Sequence, residues 1–391
     1  MGNKIKTAVI GVGNMGTAHA KALFSNQVAG LELCALCDCD ISRHDFCKTV
    51  LPQIPLFKDW KTLIDSGIAE AVIIAVPHNL HCDIAEYALK SNLNVVLEKP
   101  VDVSVSKAIA LNRVAQKSDK VFAMMFNQRT NELYSKARNI VRSGALGELK
   151  RSVWIITNWY RTQQYYNSGN WRASWAGEGG GVLLNQAPHN LDLWQWICGM
   201  PISVTGYCDV AKYHNIEVED DATIFVRYKN GATGTFITST GEYPGTNRLE
   251  ISGDLGKIVI ENGKLKWWKL NMSEREYCFN ADNPNYSLKY EYSEISAEKP
   301  ETAHIGILQN FANAILYNEE LISPGTDGIF ELSLSNAAYL SSWQGNLSVN
   351  LPLDCAEFDR ILAEKIKNSN LKKSSPDHED GEYLPRWHVQ W

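Results

Sequence analysis

The chain has 391 residues, of which 45% are hydrophobic, and this is enough for two separate cores. Its formal net charge is -6, and the Lys and Arg residues are scattered rather than clustered. The phosphate backbone of a nucleic acid favours clustered cations, so we expect no nucleic-acid partner. No apolar run approaches the roughly 20 residues needed to cross a bilayer, and the first residues show no signal-peptide pattern. We therefore expect no membrane partner and a cytoplasmic location.

The first 126 residues alternate short apolar runs with segments whose apolar residues recur at helical spacing. This order is typical of βαβ units, which build a parallel sheet. We predict an α/β domain of the Rossmann type over residues 1–126, with a doubly wound parallel sheet. Its predicted strands are 7–10, 31–37, 71–76, 94–97 and 121–125, and its predicted helices are 15–24, 84–91 and 104–118.

Residues 127–366 carry strand patterns separated by hairpin signals. Asn230-Gly231 and Asn262-Gly263 each lie between two arms of alternating apolar residues, which is a strong signal for a tight hairpin. We predict an α+β domain with a large, mostly antiparallel sheet that helices cover on one face and that serves substrate binding and oligomerisation. Its predicted strands are 149–160, 203–210, 222–228, 232–238, 249–252 and 258–260, and its predicted helices are 181–198, 303–317 and 329–343.

Residues 367–391 are polar and charge-rich, and they are predicted to form a loose tail. Trp387 and Trp391 are exceptions within this segment. Because large aromatic side chains favour burial, we expect the end of the tail to dock.

A glycine-rich loop follows the first predicted strand and opens the first predicted helix. It reads Gly11-Val12-Gly13-Asn14-Met15-Gly16, a GxGxxG motif in the context that makes it specific for a dinucleotide. The first glycine makes the turn, the second lets the backbone approach the pyrophosphate, and the third permits close helix packing. The helix N-terminus adds amide donors and a partial positive charge. The alternative is an accidental glycine turn, which is disfavoured because strand, loop and helix coincide.

Asp38 ends the second predicted strand about 20 residues after the glycine loop. A carboxylate there can accept both ribose hydroxyl protons of adenosine and would repel an added 2′-phosphate. Asp38 therefore favours NAD over NADP. Arg43 lies close by in the sequence and keeps NADP open as the less favoured cofactor.

Two further segments follow predicted strands, at the edge where open α/β sheets bind their ligands. One is Ala75-Val76-Pro77-His78-Asn79 and the other is Glu98-Lys99-Pro100. Pro77 alone indicates no more than turn chemistry. Lys99 is more informative, because a lysine in a cofactor-lined cleft can donate to a developing alkoxide.

A third motif lies in the second predicted domain and reads Gly179-Gly180-Gly181-Val182-Leu183-Leu184-Asn185-Gln186-Ala187-Pro188-His189-Asn190-Leu191-Asp192. With this motif, the glycine loop and Glu98-Lys99-Pro100, the chain resembles the Gfo/Idh/MocA oxidoreductases, a family named for glucose-fructose oxidoreductase and inositol dehydrogenase. The resemblance extends from Thr7 to about Trp343. It implies an NAD-dependent enzyme that transfers a hydride between the nicotinamide and a secondary hydroxyl or keto carbon of a sugar, polyol or sugar derivative.

The resemblance implies that Lys99 and His189 form the catalytic pair. Imidazole titrates near neutrality and suits removal of the hydroxyl proton, while lysine can supply the cationic donor or share the proton transfer. The family often has Asp four residues before this histidine, whereas this chain has Asn185, which takes up no proton but can hydrogen-bond a substrate. On one continuous predicted helix, Asn185 and His189 share a face. The resemblance predicts that Asn185→Asp is a milder change than the loss of Lys99 or His189.

The expected ligand contacts come from these motifs and from the aromatic segments upstream of the third one. The cofactor contacts are Gly11, Gly13, Asn14, Met15, Gly16, Asp38, Ala75, Val76, Pro77, Asn79, His81, Glu98, Lys99, Asn127, Trp171 and Arg172, and the substrate contacts are Lys99, Tyr160, Arg161, Arg172, Asn185 and His189. Aromatic faces with nearby Arg and Asn donors match a sugar ring. Trp159 and Trp175, taken singly, are better explained as core residues.

Two other functions remain open. In the first, NAD-dependent glycoside cleavage, transient oxidation acidifies a neighbouring C–H bond and elimination expels the aglycone, so that no NADH accumulates. The second is a non-catalytic NAD-binding sensor, which is disfavoured because Lys99 and His189 are both present.

The sequence also indicates which partners to expect. No cluster of His, Cys or carboxylate residues has metal spacing, so no metal is predicted. We expect a homo-oligomer, a dimer or tetramer, because the uncovered face of the second sheet should be apolar. Trp267 and Trp268 are adjacent on one strand, so at least one of them should point outward.

Overall fold

The computed structural model describes residues 4–169, 171–282, 284–285 and 288–369. The described chain divides into two compact units. Unit 1 contains residues 4–130 together with Thr302–Leu332, and unit 2 contains Asn131–Glu301 together with residues 333–369. Trp387, Trp391 and most of the predicted tail lie outside the described residues.

Unit 1 is built on the predicted parallel sheet. Its six strands lie in the order β3-β2-β1-β4-β5-β6, and every pair of neighbours is parallel. The strand order reverses between β1 and β4, which is where a ligand crevice opens in such sheets. The strands are β1 Ile5–Ile10, β2 Leu31–Cys37, β3 Leu56–Phe57, β4 Ala71–Ile74, β5 Asn94–Leu97 and β6 Phe122–Met124, and the helices between them are α1 Asn14–Phe24, α2 Ile41–Val50, α3 Trp60–Asp65, α4 His81–Lys90 and α5 Val105–Ala115.

The central strands of unit 1 are buried on both faces. Every residue of β4 and β5 is buried, which explains why these strands read as continuous apolar runs rather than alternating ones. The helix Ala303–Tyr317 adds Leu308 and Phe311 to the same core cluster as Val9 and Val96. This helix was predicted in the second domain, but its contacts belong to unit 1.

Unit 2 is built on a nine-stranded sheet with the order β14-β13-β12-β11-β7-β10-β9-β8-β15. All neighbouring pairs are antiparallel except β7 and β10, so the prediction of a mostly antiparallel sheet is confirmed. The strands are β7 Leu149–Ile156, β8 Ser203–Val210, β9 Glu219–Arg227, β10 Thr233–Ser239, β11 Asn247–Gly253, β12 Gly256–Glu261, β13 Lys264–Leu270, β14 Tyr290–Ser296 and β15 Val349–Asn350. The remaining helices are α6 Glu132–Arg142, α7 Gln163–Asn167, α8 Val182–Asn185, α9 Pro188–Cys198, α10 Glu274–Asn280, α11 Ala303–Tyr317 of unit 1, α12 Gly328–Trp343 and α13 Cys355–Lys367.

Both predicted hairpins form. Asn230-Gly231 joins β9 to β10, and Asn262-Gly263 joins β12 to β13. Asn262 and Gly263 have φ values of 52° and 69°, as a two-residue hairpin of type I′ requires. The turn chemistry read from the sequence therefore sets the register of β12 and β13.

The two faces of the unit 2 sheet differ. On one face, Trp154 of β7 and Phe236 of β10 are fully buried and pack against Tyr134 of α6 and Trp194 of α9. The cross-strand register groups a different set of side chains on the other face, which we call the open face. Its half-buried apolar members are Val153, Ile155, Phe225, Ile237 and Trp268, and its charged members include Arg248, Glu250 and Glu261.

The uncovered face of this sheet was expected to be apolar, but the open face carries both apolar and charged side chains. Arg248 donates to Glu250 and Glu261 at 2.8 and 2.9 Å, so an ion-pair network crosses the apolar side chains. Trp268 lies on the open face beside Tyr292, as expected for one of the two adjacent tryptophans. Within the described residues, no helix is long and apolar enough to cross a membrane.

Candidate active site

The glycine loop connects β1 to α1, and its three glycines meet different surroundings. Gly11 has a φ of 86°, and a Cβ there would lie 2.4 Å from the carbonyl oxygen of Ala75. A Cβ at Gly16 would lie 1.7 Å from the carbonyl oxygen of Gly11. A Cβ at Gly13 would have no neighbour within 4 Å. The fold therefore requires glycine at 11 and 16, whereas the bare backbone at 13 leaves room for a group that approaches from outside.

The start of α1 can bind an anion. Gly13 is the N-cap of α1 and supplies no side-chain cap, and Asn14 and Met15 begin the first turn. The uncapped amides of a helix N-terminus and the helix dipole both favour a phosphate. The open backbone at Gly13 and the uncapped amides suit the pyrophosphate of a dinucleotide.

Asp38 lies at the carboxyl end of β2, beside the glycine loop. Its carboxylate accepts hydrogen bonds from the amides of Val12 at 2.8 Å and Asp40 at 3.0 Å. A carboxylate offers about four acceptor positions, so it can still accept ribose hydroxyl protons. Arg43, the residue that kept NADP open, donates to the carbonyl oxygen of Val12 at 3.0 and 2.7 Å. Arg43 therefore helps to shape the loop.

The loops after β4 and β5 are joined by His81. Its Nδ1 lies 2.7 Å from the carbonyl oxygen of Pro100 and its Nε2 lies 2.8 Å from that of Val76. Burial lowers the pKa of His81, and a neutral imidazole donates from only one nitrogen. Ala75 and Val76 are half-buried and Pro77 and Asn79 are exposed, whereas His81 is 1% exposed. The neutral His81 therefore donates to one of the two loops and packs against the other, and its burial separates it from a cofactor.

Lys99 follows Glu98, a buried carboxylate that pairs with a histidine. The Glu98 carboxylate lies 2.7 Å from His19 Nε2, and the rings of His19 and His304 are 5.7 Å apart. Burial alone would raise the pKa of Glu98, but the hydrogen bond and charge of His19 outweigh it and lower the pKa to about 2. Burial lowers the pKa of His304 to about 4. Unit 1 thus holds an ionised carboxylate and a neutral imidazole at neutral pH, and the carboxylate directly precedes the half-buried Lys99 in the chain.

Asn127 follows β6 at the same edge of the sheet as Lys99. Its side chain is buried, and its Oδ1 has no hydrogen-bond partner among the described residues. A buried acceptor without a partner is costly unless a ligand or water completes it. Asn127 therefore fits a ligand that carries an amide or hydroxyl donor.

The third motif does not form one continuous helix, which corrects the prediction for 181–198. Helix α8 ends at Asn185, and α9 begins at Pro188, with Gln186 and Ala187 between them. Proline has no amide hydrogen and suits the first position of a helix, so it starts α9 rather than continuing α8. The shared helix face expected for Asn185 and His189 therefore does not follow from helical periodicity. His189 is half-buried in the first turn of α9.

The motif glycines let α8 begin against a buried glutamate. A Cβ at Gly181 would lie 1.9 Å from the carbonyl oxygen of Glu219, and one at Gly180 would lie 2.4 Å from the hydroxyl of Tyr339. The Glu219 carboxylate accepts from the amides of Gly181 and Leu183 and from the Tyr339 hydroxyl. Burial raises the pKa of Glu219 to about 7 despite these donors. These contacts fix the position of α8 and with it Asn185.

A second buried carboxylate contacts Asn185 directly. Glu178 is 1% exposed, its Oε1 accepts from Asn185 Nδ2, and its Oε2 accepts from the amide of Ala173 at 2.6 Å. Ala173 follows Trp171-Arg172 and has a φ of 57°, which is uncommon for a residue other than glycine. Glu178 thus connects the expected substrate residue Asn185 to the turn that carries Arg172.

Tyr165 connects Arg172 to Gln186, the residue after Asn185. Its hydroxyl accepts from Arg172 at 2.9 Å and from Gln186 Nε2 at 3.2 Å. The guanidinium of Arg161 lies 5.0 Å from the centre of the Tyr165 ring, and Tyr160 is 45% exposed. This cluster presents the aromatic and cationic groups that were expected to bind a sugar.

Trp159 and Trp175 behave as core residues, as expected. Both are buried, at 1% and 6% exposure. Trp159 donates to Asn190 Oδ1 at 3.2 Å, and Trp175 packs edge-on against Tyr339 and Trp343. Neither indole is placed to stack on a ligand.

The structure thus assembles the expected site residues within each unit. Unit 1 groups the glycine loop, Asp38, the loops that carry Val76 and Lys99, and Asn127. Unit 2 groups Arg161, Arg172 and Asn185, and His189 lies in the same motif. Their buried partners His19 and Glu178 and their half-buried partners His304 and Tyr165 were not predicted from the sequence. No group of three or more His, Cys, Asp and Glu side chains could hold a metal ion within the part of the chain that the structure describes.

Two family models match the chain. Residues 5–126 match the model described as "Oxidoreductase family, NAD-binding Rossmann fold", and residues 134–259 match the model described as "GFO/IDH/MocA C-terminal domain". The two matches fall on the first segment of unit 1 and within unit 2. Together they span more than half of the chain.

Named relatives and solved structures are similar over most of the chain. A myo-inositol 2-dehydrogenase of Thermotoga maritima is 24% identical over 85% of this chain and 95% of its own length. A scyllo-inositol 2-dehydrogenase (NAD(+)) of Bacillus subtilis is 26% identical over 90% of this chain and 97% of its own length. The structure of the WlbA dehydrogenase from Bordetella pertussis, in complex with NADH and UDP-GlcNAcA, has a TM-score of 0.74 at 23% identity and covers 90% of this chain and 100% of that one. At this identity the structural likeness establishes the fold.

Proposed function

Because the chain belongs to the GFO/IDH/MocA family of NAD-binding oxidoreductases, we propose that it transfers a hydride between NAD and a secondary hydroxyl carbon of a cyclic polyol or sugar. The observation that carries this proposal is the glycine loop of unit 1, where the backbone is accessible at Gly13 and tightly packed at Gly11 and Gly16. The inositol dehydrogenases among its relatives support a cyclic polyol as the substrate class.

The residues that would hold the cofactor line the carboxyl edge of the unit 1 sheet. The amides at the start of α1 would bind the pyrophosphate, and Asp38 would accept the ribose hydroxyls. The Oδ1 of Asn127 would accept from an amide such as the nicotinamide carboxamide, which completes a buried acceptor. Ala75, Val76, Pro77 and Asn79 would flank the cofactor, while His81 would fix the loop behind them. When bound, NAD supplies the hydride acceptor.

We assign the chemical step to Lys99 and His189. His189 would take the hydroxyl proton as the hydride leaves the same carbon, and Lys99 would donate to the oxygen on which charge develops. The carboxylate of Glu98 lies next to Lys99 in the chain and keeps a negative charge at neutral pH, which favours a protonated lysine. An ionised Lys99 suits the donor role better than the base role.

We assign substrate binding to the polar and aromatic cluster of unit 2. Arg161, Arg172 and Asn185 offer donors and an acceptor for ring hydroxyls, and Tyr160 offers an exposed aromatic face. Trp171 lies 4.5 Å beneath the guanidinium of Arg172, which holds the arginine in place. This combination suits a hydroxyl-rich ring.

The test is a screen of inositols, hexoses and glycosides for NADH absorbance at 340 nm, with product analysis. A dehydrogenase forms NADH and a ketone in equal amounts. Glycoside cleavage with internal redox recycling would instead release an aglycone without NADH. An NAD-binding sensor would show neither product, and calorimetry would still detect the cofactor. Formation of a keto product with matching NADH supports the proposal, and either other result contradicts it.

We also propose that the protein forms a homo-oligomer through the open face of the unit 2 sheet. Interfaces combine half-buried apolar side chains with paired charges, and this face has both. Phe225, Ile237 and Trp268 supply apolar area, and the network around Arg248 is already neutralised. A second copy of this chain is the partner that fits such a self-complementary surface.

A further inference from the structure

Glu178 is a buried acid that lies just before the third motif. Its contacts reach both Asn185 and the turn that carries Arg172, two expected parts of the substrate site. It is 1% exposed, and each of its carboxylate oxygens accepts from a different segment. One donor is the amide of Ala173, in the turn after Arg172, and the other is the side-chain amide of Asn185. Both oxygens therefore act as acceptors, which is the role that an ionised carboxylate fills.

This contact fixes the orientation of the Asn185 amide. An ionised carboxylate only accepts hydrogen bonds, so Asn185 must turn its NH₂ group toward Glu178. The carbonyl oxygen of Asn185 is then on the other side of the amide. If Glu178 could also donate, Asn185 would be able to adopt the opposite orientation.

The same carboxylate stabilises an unfavourable backbone conformation. Ala173 has a φ of 57°, which costs free energy in any residue other than glycine, and it needs local support. Its amide donates to Glu178 at 2.6 Å and its carbonyl accepts from the amide of Glu217 at 3.1 Å. Glu178 thus holds the turn that sets the position of Arg172.

We propose that Glu178 is a positioning residue for substrate: it sets the orientation of the Asn185 amide, and with it the side on which the carbonyl oxygen lies, and it holds the turn that carries Arg172. This proposal rests on the proposed function, since Asn185 is assigned there to substrate binding. It also requires that only one of the residues at positions 178 and 185 is an ionised carboxylate. An acid at 185 would face Glu178 directly, and like charges in contact force one of the two to keep a proton. Asn185→Asp should therefore lower activity, although less than the loss of Lys99 or His189 does.

Three variants and one control separate this role from a purely structural one. In Glu178→Gln, the glutamine can accept from Ala173 and donate to Asn185, which requires the Asn185 amide to flip. The protein should fold normally, yet the flipped amide presents a donor in place of the acceptor. In the double variant Glu178→Gln/Asn185→Asp, the glutamine donates to the new carboxylate, which restores an acceptor. The control is Glu276→Gln, the same chemical change at an exposed position of unit 2.

Activity is measured as kcat/KM with NAD and myo-inositol, or with the polyol or sugar that the screen identifies. Glu178→Gln and Asn185→Asp should each lose about tenfold or more, which is the scale of one misdirected hydrogen bond. The double variant should recover to within about threefold of the wild type, a non-additivity typical of groups in direct contact. A double variant that is no more active than Glu178→Gln overturns the proposal, and so does a fully active Asn185→Asp.

Thermal unfolding without substrate tests the single-carboxylate requirement by itself. Asn185→Asp should have a lower unfolding temperature than the wild type, and this difference should be larger at pH 8 than at pH 5.5. The two carboxylates can share a proton only at the lower pH. The double variant should lack this dependence. Equal pH dependence in the two variants contradicts the proposal. A wild-type protein that forms no NADH with any substrate would contradict the proposed function, while this unfolding comparison would still judge the carboxylate pair.

Discussion

His304 makes the folding stability of the protein sensitive to acid. Burial lowers the pKa of its imidazole from 6.5 to about 4. Between these values the unfolded chain binds a proton that the folded chain does not, so stability falls as the pH falls. The loss is at most about 3 kcal/mol, an upper limit because part of the side chain stays exposed. The nearby Glu98, whose pKa is lowered to about 2, adds a loss only between pH 4.5 and 2.

We expect His304→Gln to remove most of the loss between pH 6.5 and 4, because glutamine takes up no proton. Thermal unfolding of the wild type and the variant at pH 7.5, 5.5 and 4.5 measures this. The unfolding temperature of the wild type should fall more steeply with acid than that of the variant. Two curves that fall in parallel would show that His304 is not the acid-sensitive group.

Replacement of either proposed catalytic residue should impair the chemical step and spare cofactor binding. Lys99→Ala and His189→Ala should each lower kcat by about a hundredfold or more, the scale of a lost alkoxide donor or acid/base group. Stopped-flow or steady-state NADH formation measures kcat, and calorimetry measures NAD affinity. Lys117→Ala, at an exposed lysine of unit 1, is the matched control. If His189→Ala keeps nearly wild-type turnover, the proton must leave through another group.

The loop between β1 and α1 allows binding to be separated from folding. Gly13→Ala introduces a methyl group into open space, so the unfolding temperature should stay close to that of the wild type. The same methyl group would occupy the approach to the pyrophosphate, so the KM for NAD should rise by about tenfold or more. Gly16→Ala is the comparison, because its Cβ would overlap the carbonyl oxygen of Gly11 and should lower the unfolding temperature. Normal NAD affinity in Gly13→Ala would contradict the assigned role of the loop.

The elements that sequence analysis predicted are those with strong patterns. β2 and β5 were predicted with the bounds that the structure has, because their apolar runs end at clear polar residues. β14 was missed because almost all of its side chains are exposed, so no alternation appears. α2 was missed because only His44 and Cys47 of its ten residues are buried. The break before Pro188 was missed because proline fits the first turn of a helix as well as a loop.

The same reasoning explains which candidate site residues were predictable. Gly13 and Lys99 lie in short motifs whose spacing follows from local chemistry. Glu178 and His304 depend on partners that folding brings together, such as Asn185 and the pair of Glu98 and His19. A buried acid that accepts from a side chain seven residues away leaves no periodic trace in the sequence.

At the level of the whole chain, the order of the segments in the sequence did not reveal which of them pack into the same unit. Residues 302–332 come after the second sheet in sequence but belong to unit 1. α11 is apolar enough to fit either unit, and its periodicity is the same in both cases. Its assignment follows from the contacts of Ile307, Leu308 and Phe311 with the core that contains Val9. Such long-range packing is invisible to local patterns.

If the open face is an interface between copies of this chain, the protein should be an oligomer in solution. Light scattering at micromolar concentration should give the mass of a dimer or tetramer, and a monomer would count directly against the proposal. Ile237→Glu places an unpaired charge at the centre of the open face and should dissociate the assembly, because burying such a charge is costly. Leu347→Glu is the control, since Leu347 is exposed in unit 2 and lies outside the sheet. If Ile237→Glu keeps the wild-type mass, the copies associate through a different surface.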